Sequence, residues 1–174
     1  SGFCSEQYRA QEGSPLMFFG PIIAQKIPKR NVELRGESRA VCRNQAITPW
    51  QEMQAAANKA NTPCEFTSFV GYEYTGTPGN SSYHRNVIFR NSSVPKLPVS
   101  YIDAPLDSML WSKLDEVCDT SNNCDFLTIP HNTNLSNGSM APYRQIPETT
   151  EAQLKYAQHR LKREPIIEIF QHKG

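Results

Sequence analysis

The sequence lacks an excess of charge of either sign and lacks a long apolar run. Its 174 residues carry 18 basic and 17 acidic side chains, a formal net charge of +1. A nucleic-acid or anionic-membrane partner calls for a basic surface, and no such bias is visible. No apolar stretch approaches the roughly 20 residues that span a bilayer. We therefore expect no nucleic-acid partner, no membrane span in this chain, and a small molecule or a neutral surface as its partner.

The chain also lacks two motifs on which reactive sites are built. No C-x-x-C pair is present, which argues against a cysteine-based zinc site, and no Gly-x-Ser-x-Gly elbow is present, which argues against a serine nucleophile. The cysteines are five: Cys4, Cys42, Cys64, Cys118 and Cys124. The last two enclose the polar, turn-rich stretch "DTSNN", where a disulfide between them closes a short loop. Such a bridge predicts a periplasmic or secreted protein, with reduced thiols in the cytoplasm as the alternative.

Neither a start methionine nor an export signal opens the sequence, and it stops directly after the strand-like run "IIEIF". We therefore expect a fragment of a longer protein. Residues 1–47 mix short apolar groups with proline, glycine and charge, which predicts an irregular insertion. Residues 48–174 show stronger periodicity and predict the central β/α segment of the domain.

Helical and strand patterns alternate along this segment. Thr48 at an N-cap position and Pro49 in the first turn predict a helix over residues 49–60. Further helices are predicted in "LDSMLWSKLDEVC" and "EAQLKYAQHRLKRE", and strands in "EFTSFVGYEY", "YHRNVIFRN", "DFLTIP" and "IIEIF". The first two strands form either a hairpin or two neighbouring strands of a barrel. The alternation predicts an α/β protein with a mainly parallel sheet.

Several residues suited to metal binding lie at the ends of these predicted strands. Glu73, His131 and His172 each come at or just after a strand, and His84 follows the loop behind Glu73. The carboxyl ends of parallel strands meet at one edge, so we expect Glu73, His131 and His172 to lie together. Imidazole and carboxylate groups suit zinc, iron and manganese. The alternatives are ordinary loop histidines, an exposed tail for His172, and a carboxylate paired with a lysine or arginine.

Five stretches carry a resemblance to a known family: "FTSFVGYEYTGTP", "HRNVIFRN", "LWSKLDEVC", "TIPHNTNLSNG" and "EPIIEIFQHKG". From about Thr48 to the last residue the chain resembles an uncharacterised bacterial family, domain of unknown function thirty-six-oh-four. That family is similar to the PHP (polymerase and histidinol phosphatase) metal-dependent hydrolases. The resemblance implies part of a distorted (β/α) barrel with two or three divalent ions. It implies metal ligation by Glu73, His84 and His131, while the His-x-His and Asp-x-His motifs of PHP proteins are absent from this chain.

The resemblance and the strand-end residues together predict a metal-dependent hydrolase, of a phosphoester in the first place. Arg85 is predicted to bind an anionic oxygen through its planar donor fork, with a surface ion pair as the alternative. Asn132, in the polar loop "NTNLSNG", and His172 are the other predicted substrate contacts. Two rival functions remain open: a metal-free module on the same barrel that binds a glycan or a protein, and a metal-dependent amide or ester hydrolase.

Overall fold

Three helices, three strands and three short 3₁₀ turns make up the described part of the chain. The computed structural model describes Gln25, Ile27 and residues 40–140 and 148–171. In chain order the main elements are α1 (Ala40–Ala60), β1 (Gly71–Tyr74), β2 (Arg85–Phe89), α2 (Asp107–Val117), β3 (Phe126–Pro130) and α3 (Thr150–Arg163). None of these helices has both the length and the apolar character of a membrane span. The predicted irregular region 1–47 lies mostly outside the described residues, and its residues 40–47 belong to α1.

The three strands form one antiparallel sheet in the order β1-β2-β3. The expectation of a mainly parallel sheet therefore does not hold for the described strands. The ten-residue connection 75–84 is too short for the crossover that parallel neighbours need, and it joins β1 and β2 as a hairpin. Because both outer strands oppose β2, they run in the same direction, and their carboxyl ends lie at the edge where β2 begins. The larger (β/α) barrel stays a prediction.

Helix α1 begins earlier than the sequence pattern predicts. It starts at Ala40, so Pro49 lies inside the helix and Thr48 does not cap it. Proline has no N–H and removes one hydrogen bond from the helical ladder. The next residue compensates with a tertiary contact, because the buried Trp50 indole donates to the Pro95 carbonyl at 2.8 Å. Trp50 also packs against the rings of Tyr72 and Phe89 in the sheet, and these contacts hold a helix that local sequence preference would end.

The core lies on one face of the sheet. Burial alternates along β2 and β3, so that Val87, Phe89 and Phe126 point into the core while the residues between them are partly exposed. This period of two is that of a pleated strand with one covered face. Leu110 and Leu114 of α2 pack into the same core, as the helical spacing predicts. Full burial of each such side chain stabilises the fold by about 1.5–3 kcal/mol.

A disulfide closes the insert between α2 and β3. Cys118 and Cys124, at a sequence separation of 6, are bridged with their Cα atoms 5.0 Å apart. Inside the loop, the Asp119 side chain accepts a hydrogen bond from the backbone N–H of Ser121 at 2.9 Å. Asn123 ends the turn with a left-handed backbone, φ 58°, which asparagine tolerates better than most residues. The bridge ties the last turn of α2 to the first residues of β3.

The strand predicted over residues 166–170 does not form. Among the described residues, the segment makes one backbone hydrogen bond to the sheet, from the Glu168 N–H to the Pro130 carbonyl at 3.0 Å. The side chains of Ile169 and Phe170 are 85% and 75% exposed. An apolar run cannot by itself distinguish a paired strand from an extended segment without a ladder.

Candidate metal centre

Three of the predicted site residues meet at one edge of the sheet. Glu73 lies near the end of β1, His84 immediately precedes β2, and His131 immediately follows β3. The outer strands end at the edge where the middle strand starts, so the antiparallel order places all three positions together. As a result, the side chains of Glu73 and His131 are in contact although they are 58 positions apart in sequence.

The two histidine side chains converge on a single carboxylate oxygen of Glu73. Glu73 Oε1 lies 2.8 Å from His84 Nδ1 and 3.2 Å from His131 Nε2. The two imidazole rings stand edge to face, with their centroids 5.8 Å apart. His131 is buried and His84 half-buried, whereas the Glu73 side chain is 48% exposed. The cluster therefore has a closed side formed by the histidines and a side that reaches solvent at Glu73.

The shared oxygen requires positive charge or protons between it and the two rings. An ionised carboxylate only accepts hydrogen bonds, and an unprotonated imidazole nitrogen also only accepts, so each short contact needs a proton or a cation. Burial alone would raise the pKa of Glu73, but the hydrogen bonds from His131 and His84 outweigh burial and hold that pKa below its ordinary value. Glu73 is therefore a carboxylate at neutral pH.

The donor set fits a divalent metal ion. One ligand atom from each of Glu73, His84 and His131 can be chosen so that all three lie within 4.8 Å of one another. Zinc bonds to nitrogen and oxygen are about 2.0–2.2 Å long, so two ligand atoms of a tetrahedral zinc ion lie about 3.5 Å apart. A small side-chain adjustment closes the difference, and the exposed Glu73 is free to make it. Two imidazoles with one carboxylate suit zinc, iron and manganese, and metal binding itself stays a prediction.

Asn132, a predicted substrate contact, lies beside the cluster on the chain. It takes a left-handed backbone conformation, φ 62°. Its side-chain Oδ1 is buried and bonds to none of the residues that the structure describes. A buried polar atom without a partner costs about 1–3 kcal/mol, so this oxygen is suited to a polar group that is not part of the described chain. Contact with substrate stays a prediction for Asn132, and His172 lies outside the described residues.

Arg85 is not brought to the cluster, although it follows His84 directly. Its side chain is fully buried on the opposite face of the sheet. Nε donates to Glu164 Oε2 at 2.8 Å, and the second terminal nitrogen donates to Asp107 Oδ2 at 3.4 Å and to the Met140 carbonyl at 3.1 Å. Burial alone would lower the pKa of Arg85, but Glu164 and then other neighbours raise it above its ordinary value. Arg85 is thus ion-paired in the interior, and the predicted contact with an anionic substrate gains no support from these bonds.

Reasoning from the sequence missed the buried charge partners. Glu164 ends a charged helix that reads as solvent-exposed, yet its side chain has no exposed surface. His159 on the same helix bonds to Asp115 Oδ2 at 2.7 Å and packs edge-on against Trp111. Glu164 and Arg85 are 79 positions apart, so no local spacing could pair them. The one available signal was an arginine at a position of "RNVIF" that alternation assigns to the buried face.

The comparisons with known proteins identify a family. A family model described as "Protein of unknown function (DUF3604)" matches residues 6–174, and the chain belongs to that family. No curated protein and no solved structure matches the chain. Membership confirms the family resemblance seen in the sequence, while similarity to the PHP hydrolases remains a proposal.

Proposed function

We propose that this protein is a metal-dependent hydrolase in which Glu73, His84 and His131 hold a divalent ion at the sheet edge. The observation that carries the proposal is the convergence of two imidazole nitrogens on one carboxylate oxygen, at 2.8 and 3.2 Å. Two histidines and a carboxylate are a ligand set for zinc, manganese or iron. The resemblance to PHP proteins supports two or three ions, for which these residues supply part of the ligands.

Two residues of the cluster, Glu73 and His131, have a definable task in such a site. A bound metal supplies Lewis acidity, which lowers the pKa of water toward about 7 and neutralises charge that develops on the substrate. Glu73 contributes the negative charge that holds the cation. The Nδ1 atom of His131 faces the Ile129 carbonyl at 3.4 Å, so a proton there leaves the Nε2 lone pair directed at Glu73 and at the metal position. The exposed side of Glu73 leaves access for water and substrate.

The substrate we propose is a small anionic phosphoester. The PHP resemblance supports this choice. The buried Asn132 Oδ1 beside His131 bonds to no described residue and can only accept a hydrogen bond, so it could hold a hydroxyl group of the substrate. Arg85 has no part in the proposed substrate contact, because its guanidinium is buried against Glu164 and Asp107. The disulfide between Cys118 and Cys124 supports export to the periplasm or the medium, where such bridges persist.

The test compares metal content and turnover in matched variants. Glu73→Gln keeps the shape of the side chain and removes its charge, and His131→Ala removes one ligand nitrogen. His159→Ala is the control, because it also deletes an imidazole bonded to a carboxylate, but on α3. Metal per chain is measured by elemental analysis, and turnover with an aryl phosphate.

We expect both site variants to lose metal affinity by at least roughly 10–100-fold, the loss that follows removal of a supporting group around a metal, and to lose turnover with it. The control should keep both. Because a metal that binds only the folded state stabilises it by mass action, chelated wild type should melt at the temperature of the site variants. Wild-type metal content in both variants would refute the proposal and favour the metal-free binding module. Bound metal with cleavage of amides or carboxylic esters but not of phosphate would keep the ion and change the bond.

A further inference from the structure

We infer that Arg85 is a positioning residue that fixes the three proposed metal ligands from the opposite face of the sheet. The inference rests on the proposed metal site and assigns to Arg85 a task that requires no contact with metal or substrate. Its basis is the strand register together with the buried bonds of the guanidinium.

The register aligns one row of residues directly behind the cluster. Arg85 is the cross-strand partner of Tyr74 on β1 and of Pro130 on β3. Each member of this row is the sequence neighbour of a proposed ligand, since Tyr74 follows Glu73, Arg85 follows His84, and Pro130 precedes His131. Successive side chains of a strand point to opposite faces. The ligands therefore lie on one face, and the row that carries them lies on the other.

Arg85 is the middle member of the row, and more elements hold it than hold its neighbours. Its guanidinium bonds to Glu164 just after α3 at 2.8 Å and to Asp107 at the start of α2 at 3.4 Å. It also donates to the Tyr83 carbonyl at 3.3 Å and stacks 4.0 Å above the Tyr83 ring. Both helices thus fix the first residue of β2 through one side chain. Because His84 is the preceding residue, fixing the backbone of Arg85 also restricts the position of His84.

Metal binding is unusually sensitive to such support. Ligand atoms must sit within about 0.2 Å of the ideal metal–ligand distance, whereas a folded core tolerates larger shifts at moderate cost. A change at Arg85 should therefore weaken metal binding beyond its effect on folding. A merely structural residue would lower stability and leave the metal affinity of the folded protein unchanged.

The chain offers a closely matched control in Arg163. This arginine is also buried, bonds to the two carboxylates Asp115 and Asp125, and stacks 4.1 Å above the Phe126 ring. Phe126 is the first residue of β3, so this second cluster lies at the sheet edge away from the proposed metal centre. Arg163→Met and Arg85→Met remove the same group from similar surroundings, at opposite ends of the same strands.

The experiment measures zinc affinity by competition with a chromophoric chelator, alongside thermal melting, for wild type and the two methionine variants. We expect both variants to melt at lower temperature, but only Arg85→Met to lose zinc affinity, by roughly 10–100-fold. Arg85→Lys keeps the charge without the planar fork and should recover part of that affinity. The absorption bands of bound Co²⁺ should change for Arg85→Met and stay as in wild type for Arg163→Met, since they report ligand geometry.

The possible outcomes separate the two proposals. Zinc that fails to bind wild type overturns both the metal site and the role of Arg85. Zinc affinity in folded Arg85→Met equal to wild type overturns the role of Arg85 alone, as does an equal loss in Arg163→Met. If Arg85→Met does not fold, Glu164→Gln replaces it, because it removes one partner of Arg85 at nearly constant shape. A several-fold loss of zinc affinity with altered Co²⁺ bands then supports the inference, and wild-type values of both overturn it.

Discussion

Removal of the disulfide that joins α2 to β3 should lower stability by an amount that the loop length sets. The perturbation is the double replacement Cys118→Ala/Cys124→Ala. Both sulfurs are buried, so alanine is preferred to serine, which would bury two hydroxyl groups without partners. Cys64 is a free, exposed cysteine and provides the control Cys64→Ala.

The expected magnitude follows from the sequence separation of 6 between the bridged cysteines. In the chain-entropy account, a bridge that closes so short a loop stabilises the folded state by about 2 kcal/mol at 25 °C. For a domain of this size, a loss of that amount lowers the melting temperature by about 4–8 °C. The small cavity left by the sulfurs adds to the loss.

The assay is urea unfolding of wild type, the double variant and Cys64→Ala under non-reducing conditions. Wild type with reductant should unfold at the midpoint of the double variant, and Cys64→Ala should unfold like untreated wild type. Equal midpoints for wild type and the double variant would refute the argument. Free thiols at both positions in unreduced peptides, read by mass spectrometry, would also remove the support for export.

Two further changes test the electrostatics and the core. Burial alone would raise the pKa of Asp125, but the hydrogen bonds from Arg163 and the Phe126 N–H and the positive charges nearby together hold that pKa below its ordinary 3.8. The stability that Asp125 contributes is therefore complete above that value and is lost as pH falls through the lowered pKa. Asp125→Asn should therefore be less stable than wild type at neutral pH, with the difference shrinking in acid; urea unfolding across pH measures this. In the core, Trp50→Phe removes the indole N–H that bonds to Pro95 and should cost about 1–3 kcal/mol. Met53→Ala, on the exposed side of the same helix, is its control and should cost much less.

These two predictions have clear contrary results. A stability gap for Asp125→Asn that is constant from neutral to acid pH would show that the carboxylate contributes no pH-dependent stability. A Trp50→Phe protein as stable as wild type would show that the indole bond to the Pro95 carbonyl does not help to hold α1 in place.

The sequence predicts that Glu73 and His131 of the proposed site lie close together, but it does not predict the antiparallel sheet that brings them together. Strand patterns place Glu73 and His131 at strand ends, and the parallel-sheet expectation then brings them to one edge. The actual sheet is antiparallel, but its two outer strands still run in the same direction, and the result for these residues is the same. His84 was harder to place from pattern alone, because it lies at the beginning of a strand, and only an antiparallel neighbour brings a beginning to the same edge.

The residue roles that the sequence did not predict depend on burial by segments that are distant in the chain. The sequence predicts that Arg85 binds an anion, because the planar donor groups of arginine suit phosphate. This argument does not tell on which face of the strand the Arg85 side chain lies. Its partner Glu164 lies 79 positions away and becomes buried only when α3 packs on the sheet. Pro49 led to a wrong helix start. Proline is typical of the first turn of a helix, but Pro49 lies inside α1, where a tertiary contact of the next residue offsets the missing N–H.

The antiparallel order also sets the sequence in which the site can form during folding. Glu73 and His84 belong to one hairpin and are 11 positions apart, whereas Glu73 and His131 are 58 apart. Closing the longer loop costs about 1.5 kcal/mol more in chain entropy, so the hairpin is expected to form first. Pulse-labelled hydrogen exchange should then show protection of β1 and β2 before β3. A refolding chain would bring the carboxylate and one imidazole of the proposed site together early, and would add the second imidazole only after the connection through α2 has closed.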